Sequence, residues 1–152
     1  MGGTAQSLYE EGVKLSFEQW GAGSATAYLA DNTSTEKNYV DPISEYGGDV
    51  SAVSNITIKW DDSATDEKKM ERLITQKWIA MFPNGQEGWS EIRRTGYPKV
   101  FPLAQSTDYS IQVANRIPFD IDEATNNKAN YIKAVQLLKG NDDYATKMWW
   151  QR

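Results

Sequence analysis

The chain has 152 residues, 21 acidic against 16 basic side chains, and neither cysteine nor histidine. That inventory excludes disulfide scaffolds, cysteine-based zinc sites and any Cys or His nucleophile–base pair. The net charge of −5 speaks against nucleic acid, which needs clustered Lys and Arg, and no apolar run approaches the ~20 residues that span a bilayer.

Taken in chain order, a first helix is expected from about Ala5 to Trp20. Thr4 suits its N-cap, and Gly21 sits where a left-handed residue closes a helix. Tyr9, Val13, Phe17 and Trp20 recur at spacings of 4, 4 and 3 on one face, widened by Leu8 and Leu15. A helix this apolar needs a partner surface. Residues 21–65 then turn to Gly, Ser, Thr, Asn and Asp, with Tyr28, Tyr39 and Tyr46 interspersed. Asp41-Pro42 and Gly47-Gly48 mark turns, and Asn55 to Trp60 is β-branched enough to read as a short strand. So long an irregular segment is either a functional loop or one ordered by its neighbours.

A second helix is expected from Ala64 or Asp66 to Phe82, with Ser63 and Asp66 as a capping box and Pro83 as its stop. Met70, Leu73, Ile74, Trp78, Met81 and Phe82 fall at core spacing, so Trp78, Ile79 and Phe82 read as core. Asn84 caps a short helix running to Thr95 that carries Trp89 and Ile92 inward and stops at Gly96. The two helices should pair antiparallel. Residues 97–121 read as loop, and a last helix is expected from Asp122 to Lys139, ended by Gly140. The tail Met148-Trp149-Trp150 is apolar enough to dock back. The sum is a mainly α chain of three to four helices plus one long irregular segment, a single unit over 1–152.

Catalytic chemistry is scarce. Glu87 and Glu91 stand one helical turn apart, the minimum for a carboxylate pair, but Glu91 with Arg94 at i+3 is an ordinary surface ion pair. Asp120, Asp122 and Glu123 lack the pattern of a calcium loop and suit a helix start instead. Arg93-Arg94 offers an anion site, although neighbours on a helix point about 100° apart, so one Arg at most should face a given ligand. At least one of them reads as a structural partner of carboxylates or carbonyls. Sugars present flat C–H faces that exposed aromatic rings match. Tyr39, Tyr46 and Trp60, set beside Asn38, Asp41, Asp49 and Asn55, are therefore the candidate ligand-binding residues. The competing reading has each ring plugging the loop onto the body.

The run from Thr75 to Pro98, TQKWIAMFPNGQEGWSEIRRTGYP, closely resembles the C-terminal signature of the SusD/RagB family. So does the opening Tyr9 to Gly21, and Arg116, Pro118, Glu123, Asn127 and Lys147 to Trp150 fit its closing segment. Gly88 stands where the family has Ala, and Ile92 where it often has an aromatic. The resemblance implies a helical fold on a tetratricopeptide-like scaffold and a non-enzymatic protein without cofactors. It implies an outer-membrane, cell-surface lipoprotein that binds a glycan (an oligosaccharide or polysaccharide nutrient). The implied partner is a TonB-dependent transporter of the SusC kind. Family members are longer and carry a signal peptide and a lipid-accepting cysteine, so this chain is expected to be a C-terminal portion of one, held at the membrane only through an anchor outside it. The alternative is a structural or docking segment that packs on the scaffold or the transporter without touching ligand.

Overall fold

Six helices organise the computed structural model, which describes residues 2–43, 48–101 and 113–151. They are α1 (Ala5–Gln19), α2 (Thr26–Ala30), α3 (Asp66–Ala80), α4 (Gly85–Thr95), α5 (Ile121–Asn126) and α6 (Lys128–Leu138). Three of them, α1, α3 and α4, match expected helices. Each start is set by a side chain that takes an otherwise orphaned backbone amide. Thr4 accepts from Ser7 N at 3.1 Å, and Asn84 accepts from Glu87 N at 3.2 Å. The α3 cap is Thr65, which accepts from Lys68 N, rather than the Ser63 expected; Ser63 instead donates its hydroxyl to Asp61. Gly96 ends α4 at φ 78°, a left-handed conformation that costs glycine nothing.

Three expectations are corrected. A short helix, α2, forms inside the segment read as loop. The last helix is broken at Asn127, whose φ of −131° is not helical, so α5 and α6 replace one continuous element. Asn55–Trp60 is not a strand, and the described residues hold only an isolated antiparallel bridge between Tyr39 and Val50. The reason lies in where its polar groups go. Glu36 accepts from Val53 N and Ser54 N at 2.7 and 2.8 Å, Arg72 Nε donates to Thr57 O at 2.8 Å, and Lys59 N donates to Asp31 O at 2.8 Å. Side chains and loop carbonyls thus satisfy a backbone that would otherwise need a ladder.

The core sits where α1 crosses this irregular segment. Tyr9, Val13, Ala25 and Trp60 are buried together, with Phe17, Tyr28 and Leu29 against them. The rings of Tyr9 and Trp60 lie 5.2 Å apart, and Tyr9 donates its hydroxyl to Ile58 O at 2.6 Å. Burial pushes the Tyr9 hydroxyl well above its usual pKa, so it remains a donor. Tyr28 reaches from α2 to Gln76 on α3, donating at 2.9 Å. The stripe read as core on α3 is only half covered: Trp78 and Ile79 are exposed, and Phe82 is 72% exposed, with the Trp20 ring 6.2 Å from it.

The second half is held mainly by polar knots. Trp89 donates its indole N–H to Ala114 O at 2.7 Å, and Arg93 donates to Asn115 O at 3.0 Å. Asn115 in turn donates to Ala145 O and accepts from Gln151 Nε2, at 2.8 and 2.9 Å. The tail docks as expected at Trp150, which stacks toward Arg93, but Trp149 points away and is 91% exposed. No helix among the described residues is long and apolar enough to cross a membrane.

Candidate functional site

The three aromatics singled out in the sequence do not share one environment. Trp60 is 7% exposed, packs on Tyr9, and donates its indole N–H to Asp62 at 2.9 Å, so its ring serves the core. Tyr46 lies outside the described residues. Tyr39 is the ring that stays open, 47% exposed, on a bridge that fixes its backbone to Val50 through two hydrogen bonds of 2.9 Å. Around it, Asp41 N donates to Asp49, and Asn38 accepts from Ala52 N at 2.9 Å. The loop therefore presents Tyr39 from a backbone anchored on both sides.

Tyr39 stands beside a second ring that sequence reasoning missed. Phe101 lies 6.2 Å away at a tilt of 49°. Phe101 also borders a cavity of about 410 Å³ between α3 and the irregular segment, lined among others by Tyr28, Arg72, Gln76, Trp78 and Pro98. That volume is in the range of small-molecule pockets, and aromatic faces with a few polar groups are the composition such pockets show. Arg72 is buried and held by Thr57 O, with its Nη1 unpartnered among the described residues. Glu71, also buried, accepts from Ser54 Oγ at 2.6 Å and faces Lys99 Nζ at 3.7 Å. A buried Glu-Arg pair on α3 was legible only as helix polarity. Nothing in the spacing says that both side chains turn inward to clamp a loop.

The carboxylates considered above are committed to structural contacts. Glu91, half of the carboxylate pair considered above, spends its two oxygens on Lys77 at 2.7 Å and Arg94 at 2.6 Å. Burial pushes its carboxyl up, but the Arg94 and Lys77 hydrogen bonds outweigh that and hold it below the usual glutamate range. It is thus a fixed anion and not a proton donor. The expected Glu91–Arg94 pairing is observed, but not on a solvated face, since Glu91 is buried and only Arg94 reaches solvent. Asp120 caps α5 by accepting from Asp122 N at 2.8 Å, as a helix start should. Among the described residues no three His, Cys, Asp or Glu side chains come together to hold a metal ion.

Arg93 and Arg94 both border a cleft of about 760 Å³ at the end of α4, and their guanidinium groups turn to different partners. Each also has the structural partner expected of an interior arginine: Arg94 holds Glu91, and Arg93 holds Asn115 O. The Arg93 guanidinium lies 3.5 Å over the Trp89 ring and 4.8 Å from that of Trp150. Burial lowers its pKa from the usual arginine value.

Residues 1–151 match the family model described as SusD-like, Susd and RagB outer membrane lipoprotein. The chain is similar to a chitin-binding SusD homolog from Flavobacterium johnsoniae, at 45% identity and a TM-score of 0.82, covering 98% of this chain and 32% of that one. A SusD-like protein from Bacteroides thetaiotaomicron is 46% identical, with a TM-score of 0.84 over 99% of this chain and 32% of its own. A second SusD homolog from the same organism is 39% identical, with a TM-score of 0.85 over 100% of this chain and 34% of its own. The chain thus spans about a third of the length of these structures. No curated protein matches it.

Proposed function

The chain belongs to the SusD/RagB family of outer-membrane lipoproteins, and on that footing we propose that it forms the C-terminal region of a cell-surface glycan-binding protein of a SusC/SusD-type uptake system. It captures an oligosaccharide without altering it, for delivery to a TonB-dependent transporter, while a lipid anchor holds the whole protein at the outer membrane. The observation that carries this reading is the 45% identity to a homolog described as chitin-binding. In this chain Tyr39 and Phe101 serve as the stacking platform at the mouth of the 410 Å³ cavity.

Isothermal titration with chitohexaose tests the reading. Binding that weakens about tenfold in Tyr39→Ala supports the platform, a loss of about 1.4 kcal/mol, at the upper end of the ~0.5–1.5 kcal/mol of ring stacking. Chitohexaose affinity unchanged in Tyr39→Ala removes Tyr39 from the site.

A docking role is favoured by one observation. Leu8, Leu15 and Trp20 on α1 and Ile79 and Phe82 at the end of α3 are exposed. Leu8 and Ile79 line an apolar groove of about 330 Å³ between the two helices. An open apolar surface of this kind marks an interaction face. Leu8→Glu with Ile79→Glu would abolish co-purification with the transporter if this face docks there, and leave chitohexaose binding untouched.

A further inference from the structure

Two hydrogen-bond donors on α3 stand unspent beside the cavity of about 410 Å³ that Phe101 borders. Gln76 is the first. Its Oε1 accepts from the Tyr28 hydroxyl at 2.9 Å, which fixes the amide and leaves Nε2 with no partner among the described residues. Arg72 is the second. It is 5% exposed, its Nε is held by Thr57 O at 2.8 Å, and its Nη1 has no acceptor among the described residues. A buried N–H is nearly always paired, so two unspent donors lining one cavity call for an acceptor that arrives from outside.

The acceptors around the cavity are engaged within the fold instead. Glu36 Oε2 takes Val53 N and Ser54 N, Thr57 O takes Arg72, and Gln76 Oε1 takes Tyr28. The rest of the wall is largely apolar, with Ile56, Ile58, Trp78 and Val100 contributing to it. A sugar hydroxyl pushed into this space would need an acceptor for its own proton, and burying it without one is unfavourable. An acetamido group makes no such demand at its inner end. Its carbonyl oxygen only accepts, and its methyl group matches an apolar wall. Its N–H lies next to the sugar ring and so stays toward the mouth, where Phe101 stands beside Tyr39.

We propose that this cavity is an N-acetyl subsite, which selects sugars bearing an acetamido group over those with a hydroxyl in its place. Gln76 Nε2 donates to the acetamido oxygen, and the charge of the Arg72 guanidinium favours the same oxygen. Ile56, Ile58 and Trp78 enclose the methyl group. The inference rests on the glycan reading above and adds to it the chemical group that is read and the residues that read it.

The experiment is isothermal titration of the chain with chitohexaose and with cellohexaose, which has the same β-1,4 backbone and a hydroxyl at every acetamido position. Chitohexaose should bind at least tenfold more tightly. Gln76→Glu keeps the acceptor for Tyr28 and removes the amide donor. It should weaken chitohexaose binding about tenfold, the upper range for one hydrogen bond, and leave cellohexaose affinity unchanged. That variant is read once its circular dichroism and melting temperature match the parent chain. Saturation-transfer NMR on the parent chain gives a readout that needs no variant: the acetamido methyl protons should take up more saturation than the ring protons. Ring protons saturated as strongly as the methyl protons overturn the subsite. Equal affinity for the two hexaoses, or chitohexaose affinity that falls in Tyr39→Ala but not in Gln76→Glu, overturns it too and leaves the glycan reading standing. Binding of neither hexaose overturns both.

Discussion

Arg116 and Asp142 meet at 2.5 Å across 26 residues of chain, and both side chains are largely buried. Asp142 also accepts from Phe119 N at 3.0 Å, so one carboxylate fixes the turn that leads into α5. Asp142→Asn keeps the shape and removes the charge, leaving Arg116 buried and unpaired. We expect a loss of about 3 kcal/mol, the usual cost of breaking one half of a buried pair. Urea unfolding followed by fluorescence would measure it; a change below ~0.5 kcal/mol would refute this account of the turn.

The same pair sets a pH dependence. Burial pushes the Asp142 carboxyl up, but the Arg116 guanidinium and the Phe119 amide outweigh it and hold it below the ordinary aspartate value of 3.8. Glu91 is depressed in the same way below 4.5. A carboxyl whose folded pKa is lowered stabilises the fold above its unfolded pKa and loses that contribution as pH falls through the folded value. Melting temperature should therefore be flat from neutral pH down to about pH 5 and fall below it. In Asp142→Asn the fall should be shallower. An equally steep decline in the variant would show that other groups drive it.

The contrast between two tryptophans gives a cleaner test of packing. Trp60→Ala removes a ring seated on Tyr9 and should cost about 3 kcal/mol or more. Trp149→Ala removes one that touches little and should stay within ~0.5 kcal/mol. Denaturant midpoints of the two variants, measured side by side, check both. If they are similarly destabilised, the assignment of the core to Tyr9 and Trp60 fails.

Caps and stops could be read from the sequence because they are local. Thr4, Asn84 and Gly96 each act within four residues of their own position, so residue type alone carries the signal. The face of α1 that holds Tyr9 and Val13 was legible for the same reason, since periodicity is a property of one helix. The failures were non-local. Trp60 and Tyr39 look alike in sequence, and only the arrival of Tyr9 from 51 positions earlier buries the first and leaves the second open. The break at Asn127 was hidden because the flanking residues keep helical periodicity through it. The clamp of Glu71 and Arg72 on the irregular segment was beyond reach, since its partners, Ser54 and Thr57, carry no pattern that names them.

Gly88 offers a test in the opposite direction. An added Cβ would meet Trp78 Nε1 at 3.0 Å and Cδ1 at 3.3 Å, closer than comfortable contact. Trp78 is 41% exposed, which leaves its ring room on one side to give the few tenths of an ångström required. Alanine in a helix interior is worth about 1 kcal/mol over glycine. Gly88→Ala should therefore stabilise by roughly 0.5 kcal/mol, raising the melting temperature by about 1–2 °C. A lower melting temperature would mean that Trp78 is held in place more firmly than its exposure suggests.

The contact between Gln151 and α4 bears on the order of events during synthesis. Gln151 Nε2 reaches Arg93 O across 58 residues and joins the same knot at Asn115. Its partners on α4 leave the ribosome long before it does, while contacts of high sequence separation form only once both ends are free. The α1 core involves only residues up to Trp60 and has no such delay. The half containing Tyr9 and Trp60 is thus able to close on a nascent chain, whereas the cleft lined by Arg93 and Trp150 takes shape only after Gln151 has emerged.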